Sequence, residues 1–70
     1  MASLAIADAR PRFLRITDVT AETGLSRSTI YRLEQAGDFP RRVRLSANSM
    51  GWWSSAVDEW LAKRREQHSD

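Results

Sequence analysis

The 70-residue chain has no cysteine and a single histidine, His68, close to its C-terminus. The missing thiols exclude disulfides, cysteine–zinc sites and thiol chemistry. One imidazole near a chain end, where order is usually lost, excludes a histidine-based triad or a multi-histidine metal site. Neither catalysis nor a cofactor is therefore expected. No apolar run approaches the roughly 18 residues of a membrane span. The opening MASLAIADA lacks a basic start and is interrupted by Asp8, so it does not read as a signal peptide, and a cytoplasmic location is expected. Apolar residues make up 41% of the chain, enough for one small core and no second one.

What the chain does have is an uneven distribution of charge. Its 11 basic and 9 acidic residues sum to only +2. Between residues 26 and 45, however, Arg27, Arg32, Arg41, Arg42 and Arg44 stand against only Glu34 and Asp38. All five cations are arginines, whose planar fork matches phosphate oxygens and the guanine edge. A solvated basic face is the ordinary outcome of such a cluster, so the pattern of secondary structure must decide.

Residues 1–12 show no period and run into Pro11, and read as a disordered arm; 13–66 read as the folded domain and 67–70 as a frayed end. In Phe13-Leu14-Arg15-Ile16, Leu14 and Ile16 share one side of a short extended segment. Thr17 is the expected cap of a first helix, with Asp18 in its first turn and Gly24 ending it. Thr20 and Thr23 on that helix can bond the carbonyl four residues back. Ser26 is the expected cap of a second helix running to about Ala36, closed by Gly37. Ile30 and Leu33 form its apolar side, and Arg27, Ser28, Tyr31, Arg32 and Gln35 lie largely on the other. Arg42-Val43-Arg44-Leu45 and Met50-Gly51-Trp52-Trp53 alternate like the strands of a hairpin joined by the four-residue loop Ser46-Ala47-Asn48-Ser49. That pattern turns Val43, Leu45, Met50 and Trp52 inward and Trp53 outward, against the N-terminal strand or exposed as a self-association surface. A last helix starts at Ser54 or Ser55, with Val57, Trp60, Leu61 and Arg64 at helical spacing. Trp60 is expected to anchor its core side, and Lys63, Arg64 and Arg65 to complement its C-terminal dipole.

The first two helices are separated only by Gly24, Leu25 and Ser26, which forces the sharp crossing of a helix-turn-helix. The expected fold is mainly α with a small β-hairpin: a winged helix-turn-helix of short strand, helix-turn-helix, two-stranded wing and C-terminal helix. In this setting the chain from Thr17 to Leu61 resembles the AlpA family of phage and prophage regulatory proteins, related to small excisionases and more distantly to MerR-type winged domains. The resemblance rests on Thr23-Gly24-Leu25-Ser26-Arg27-Ser28-Thr29-Ile30-Tyr31-Arg32-Leu33 and on Gly37-Asp38-Phe39-Pro40. Val43-Arg44-Leu45, Gly51-Trp52 and Val57-Asp58-Glu59-Trp60-Leu61 complete it. The chain departs from the family in the absence of a basic residue from the hairpin loop, and in Trp53, where a polar residue is common.

The resemblance implies a DNA-binding regulator of prophage type, acting at the bacterial nucleoid. The residues agree with it. The second helix offers backbone N–H groups at its start, joined by the hydroxyls of Ser26, Ser28 and Thr29. Arg27 and Arg32 are candidates for base contact, and Tyr31 and Gln35 for base or phosphate contact. Arg41, Arg42 and Arg44 are expected to grip phosphates at the base of an uncharged wing. Double-stranded DNA is thus the expected partner, met by a homodimer or a cooperative array on repeated half-sites, since one monomer spans few base pairs. An excisionase-like recombination directionality factor would use the same surface. A protein-interaction module binding an integrase or polymerase subunit is the rival from another class.

Overall fold

A computed structural model describes residues 11–67; the expected N-terminal arm up to residue 10 and the last three residues, His68 among them, lie outside the described residues. The order of elements is β1 (Phe13–Leu14), α1 (Ile16–Thr23), α2 (Arg27–Gln35), β2 (Val43–Ser46), β3 (Ser49–Trp53) and α3 (Ser54–Gln67). The three strands form an antiparallel sheet in the order β1-β3-β2. This is the mainly helical, winged arrangement that the sequence pattern predicts. Among the described residues no helix is long and apolar enough to cross a membrane.

Local chemistry explains each boundary. α1 starts two residues earlier than its threonine suggests, because the cap is Arg15 and not Thr17. The Asp18 carboxylate reaches back to accept from the Arg15 backbone N–H at 3.0 Å, so the acid in the first turn selects the start. Thr17 lies inside the helix, where its carbonyl accepts from the Thr20 hydroxyl at 2.7 Å, three residues back and not the four expected; Thr23 bonds the Val19 carbonyl at 2.8 Å, four back as expected. Gly24 ends α1 in the left-handed region (φ 75°), a conformation that a side chain would strain. Ser26 caps α2 as expected, its hydroxyl accepting from the Thr29 N–H at 3.2 Å. At the other end Asp38 N–H donates to the Leu33 carbonyl and Gly37 N–H to that of Glu34, a paired closure of the helix that turns the chain sharply.

The core comprises Leu14, Val19, Ile30, Phe39, Trp52 and Val57, drawn from β1, α1, α2, the α2–β2 connection, β3 and α3. Ile16, Leu25, Tyr31, Leu33, Trp60 and Leu61 pack around it. Phe39 meets Trp52 and Trp60 edge-to-face, at centroid distances of 6.1 and 4.8 Å. Both indoles also donate to the connection itself: Trp52 Nε1 to the Pro40 carbonyl at 2.7 Å and Trp60 Nε1 to that of Asp38 at 2.6 Å. Trp60 therefore sits at the rim of the core, half-buried beneath the Arg64 guanidinium, and is not its central anchor.

β2 gives nothing to this core. Val43 and Leu45, with Met50 on β3, are exposed, against the expectation from their alternation. β2 is the outer strand of the sheet, and the pairing slips by one residue between Arg44 and Ser46, which leaves Leu45 in a bulge. The hairpin loop is correspondingly the two-residue turn Ala47-Asn48, shorter than the four-residue loop expected, because Ser46 and Ser49 pair. Trp53 is 42% exposed and edge-on to Phe13 at 5.5 Å, so it lies against β1 as expected and keeps part of its ring open.

β1 is bound more firmly than its two residues suggest. Arg12 N–H donates to the Ser54 hydroxyl at 2.6 Å, and Ser54 N–H returns a bond to the Arg12 carbonyl at 2.7 Å. Ser54, 4% exposed, thus joins the strand's entry to the first residue of α3. Gly51 lets the same strand approach: a Cβ there would meet the Leu14 carbonyl oxygen and the Phe13 ring.

Gly51→Ala should force β1 away from β3 and cost roughly 1–3 kcal/mol, lowering the melting temperature by about 4–24 °C; an unchanged melt would show that the close approach is dispensable. Trp52→Ala should remove the cooperative thermal transition, since truncating a buried aromatic costs roughly 3–5 kcal/mol in a domain of marginal stability. Trp60→Ala should retain a lowered but cooperative transition.

Candidate nucleic-acid interface

α2 crosses α1 after a three-residue connection and exposes most of its length. Helical spacing sorts its side chains into three lines. Ile30, fully buried, and half-buried Leu33 face the core. Ser28, Arg32 and Gln35, at i, i+4 and i+7, form a fully exposed line. Arg27, Tyr31 and Glu34, at the same spacing, form a second line that starts exposed and ends against the wing.

The start of α2 is a hydroxyl cluster. The Ser26 hydroxyl donates to Thr29 Oγ1 at 2.9 Å and lies 3.3 Å from Ser28 Oγ. Ser26 and Ser28 are exposed, whereas Thr29 is half-buried and its hydroxyl is held in the cap. The helix start is therefore rigid and polar, with Arg27 emerging beside it.

The base of the wing is fastened to the second line. Both carboxylate oxygens of Glu34 are used by one residue: Oε2 accepts from the Arg42 backbone N–H at 2.7 Å, and Oε1 lies 3.3 Å from Arg42 Nε. The Glu34 side chain is only 9% exposed. The Arg42 guanidinium also lies over the Tyr31 ring, 4.9 Å from its centroid. Arg42, expected as a phosphate contact, is thus engaged in holding the wing to α2, and Tyr31 is half-buried beneath it. Gln35, Arg41 and Met50 line a shallow depression beside this pair.

The remaining expected contacts stay open. Arg27, Arg32, Arg41 and Arg44 are all exposed, and among the described residues none forms an ion pair. They extend the charged face from the start of α2 to the outer strand of the wing. Two contributors escaped sequence reasoning. Glu34 looked only like a charge offset, and its eight-residue separation from Arg42 carries no periodic signal. Arg15, assigned to an extended segment, sends its guanidinium to the wing, with Nη2 3.2 Å from Ser49 Oγ.

Comparison with known proteins supports this architecture. The family model described as "Prophage CP4-57 regulatory protein (AlpA)" matches residues 12–65 and so starts at the residue that Ser54 binds. A protein of Enterobacteria phage P4 named "Uncharacterized protein ORF88" is 47% identical over 53 residues, covering 76% of this chain and 60% of its own length. The "DNA-binding transcriptional activator AlpA" of Escherichia coli K12 is 36% identical over 59 residues, covering 76% of this chain and 84% of its own. The chain thus spans less than two thirds of the phage relative and most of the bacterial one. With the match running from β1 through most of α3, the chain belongs to the AlpA family of prophage regulatory proteins.

Proposed function

We propose that this protein is a sequence-specific double-stranded DNA-binding regulator of transcription that inserts α2 into the major groove and lays its wing along the adjacent backbone. The observation that carries this reading is the set of exposed arginines, without ion pairs among the described residues, on and beside a helix that is capped by Ser26 and braced by Glu34 and Arg42. A rigid helix with a polar start and forked cations on its open side can meet phosphates with its N-terminus and base edges with its side chains. Arg27 and Arg32 are the base readers in this scheme. Ser26, Ser28, Thr29 and Gln35 add polar contacts, and Arg41 and Arg44 hold phosphates. Arg42 and Tyr31 serve mainly to position the wing.

The name of the bacterial relative supports transcriptional regulation over the excisionase-like alternative, which would use the same face. Target DNA requires the cytoplasm and its nucleoid. One monomer reaches few base pairs, so paired or repeated half-sites about 34 Å apart are expected, occupied by a dimer or a cooperative array. The reading assigns no catalytic role.

The test begins with footprinting on the DNA flanking the protein's own coding sequence, followed by titrations against the protected site and a scrambled one at several salt concentrations. Arg27→Ala and Arg32→Ala should each weaken binding to the protected site by about 1–3 kcal/mol and to the scrambled site by less. Equal losses on both would reduce them to phosphate contacts. The paired variant Arg41→Ala/Arg44→Ala should weaken both sites alike and lower the salt slope by about 2, since each phosphate contributes about 0.9. Arg42→Ala should also weaken binding but leave that slope nearly intact; a loss close to one unit would return Arg42 to the phosphate contacts.

A further inference from the structure

The wing has no charge of its own beyond Arg44. From Leu45 to Val57 every side chain is neutral, the turn Ala47-Asn48 included. The structure nevertheless brings a cation to that turn. Arg15 follows Leu14, which pairs with Trp52, so its main chain continues alongside β3 toward the turn. Ser49 lies two residues beyond Gly51 on β3, roughly 7 Å along a strand at about 3.4 Å per residue. An extended arginine side chain spans that distance, and Nη2 stands 3.2 Å from Ser49 Oγ.

The two ends of Arg15 are held separately. Its backbone N–H is fixed by the Asp18 carboxylate at the start of α1. Its guanidinium points the other way, is exposed, and among the described residues forms no ion pair. A hydrogen bond to one neutral hydroxyl uses only one donor of the guanidinium fork and leaves the charge uncompensated. On the far side of β3, Arg44 pairs with Met50, the neighbour of Ser49. Two exposed arginines, one from the cap of α1 and one from β2, therefore flank β3 where it leaves the turn.

We propose that Arg15 is a DNA-binding residue that supplies the cation of the wing, gripping a backbone phosphate beside the turn with Ser49 orienting its guanidinium. The proposal rests on the DNA-binding reading above and adds to it a contact from outside the helix-turn-helix and the hairpin. It also gives the neutral turn a reason to be short: a compact Ala47-Asn48 turn keeps Ser49 within reach of α1.

Salt-dependent titration of the full chain against its protected site and a scrambled duplex tests the proposal. Arg15→Ala should weaken binding to both duplexes by roughly eightfold at 0.1 M salt and lower the slope by about 0.9, the share of one phosphate. Arg15→Gln, which keeps a polar though shorter side chain without the charge, should lose the same slope and covers the case in which the alanine variant folds poorly. Arg15→Lys should keep the slope, and Ser49→Ala should keep it while weakening affinity only slightly. Adding Asn48→Lys to Arg15→Ala should restore the slope by returning a cation to the turn. If the parent protein shows a clear salt slope and folded Arg15→Gln keeps it in full, Arg15 is no phosphate contact and the proposal is overturned, while the DNA-binding reading stands. If the parent binds neither duplex in a salt-dependent manner, the DNA-binding reading fails and this proposal with it.

Discussion

The direction of the wing relative to α2 is set by two indole hydrogen bonds to a single short connection. Trp52 holds the Pro40 carbonyl and Trp60 that of Asp38, while Phe39 between them is clasped by both rings. A loop carbonyl near a core would otherwise need water or leave a polar group without a partner. Here the side chains that supply apolar area also satisfy the main chain, so α2, β3 and α3 are joined through the three residues Asp38-Phe39-Pro40.

A second fastening acts on the same geometry from the polar side. Glu34 is nearly buried and gives both oxygens to Arg42, one to its backbone and one to its guanidinium, which also covers Tyr31. An ion pair with one partner this well shielded is screened less than a surface pair, so it retains its orienting effect in salt that weakens contacts between exposed charges. The opposite edge of the sheet is closed by Arg12 and Ser54, which bind β1 to the first turn of α3. Between these fastenings the exposed arginines are presented on a frame that is preorganised without them.

Much of this frame can be read in the chain. The caps at Ser26 and Gly24, the apolar pair Ile30 and Leu33, and the stripe on α3 follow from local rules that act within one or two turns. What escapes those rules involves partners far apart in sequence. Ser54 meets Arg12 across 42 residues, Arg15 meets Ser49 across 34, and Glu34 meets Arg42 across eight that include a sharp turn. The inward orientation expected for Val43 and Leu45 failed for a different reason. Alternation sets which residues share a face, but burial requires something to pack on that face, and among the described residues nothing buries Val43 or Leu45. Thr17 lost the cap to Arg15 because an acid three residues after the cap can outweigh a hydroxyl at the cap itself.

That outer strand divides the molecule's tolerances. The residues that keep the domain folded lie on one side of β3, and β2 together with its turn makes no demand on them. Replacements from Val43 to Asn48 therefore alter the outline and charge of the wing at little expense to folding, whereas a change at Phe39 or Trp52 disturbs the core that the other elements share. A scaffold arranged in this way can diverge in what it grips while its melting behaviour stays nearly constant, and the wing is the segment to randomise when a different target is sought.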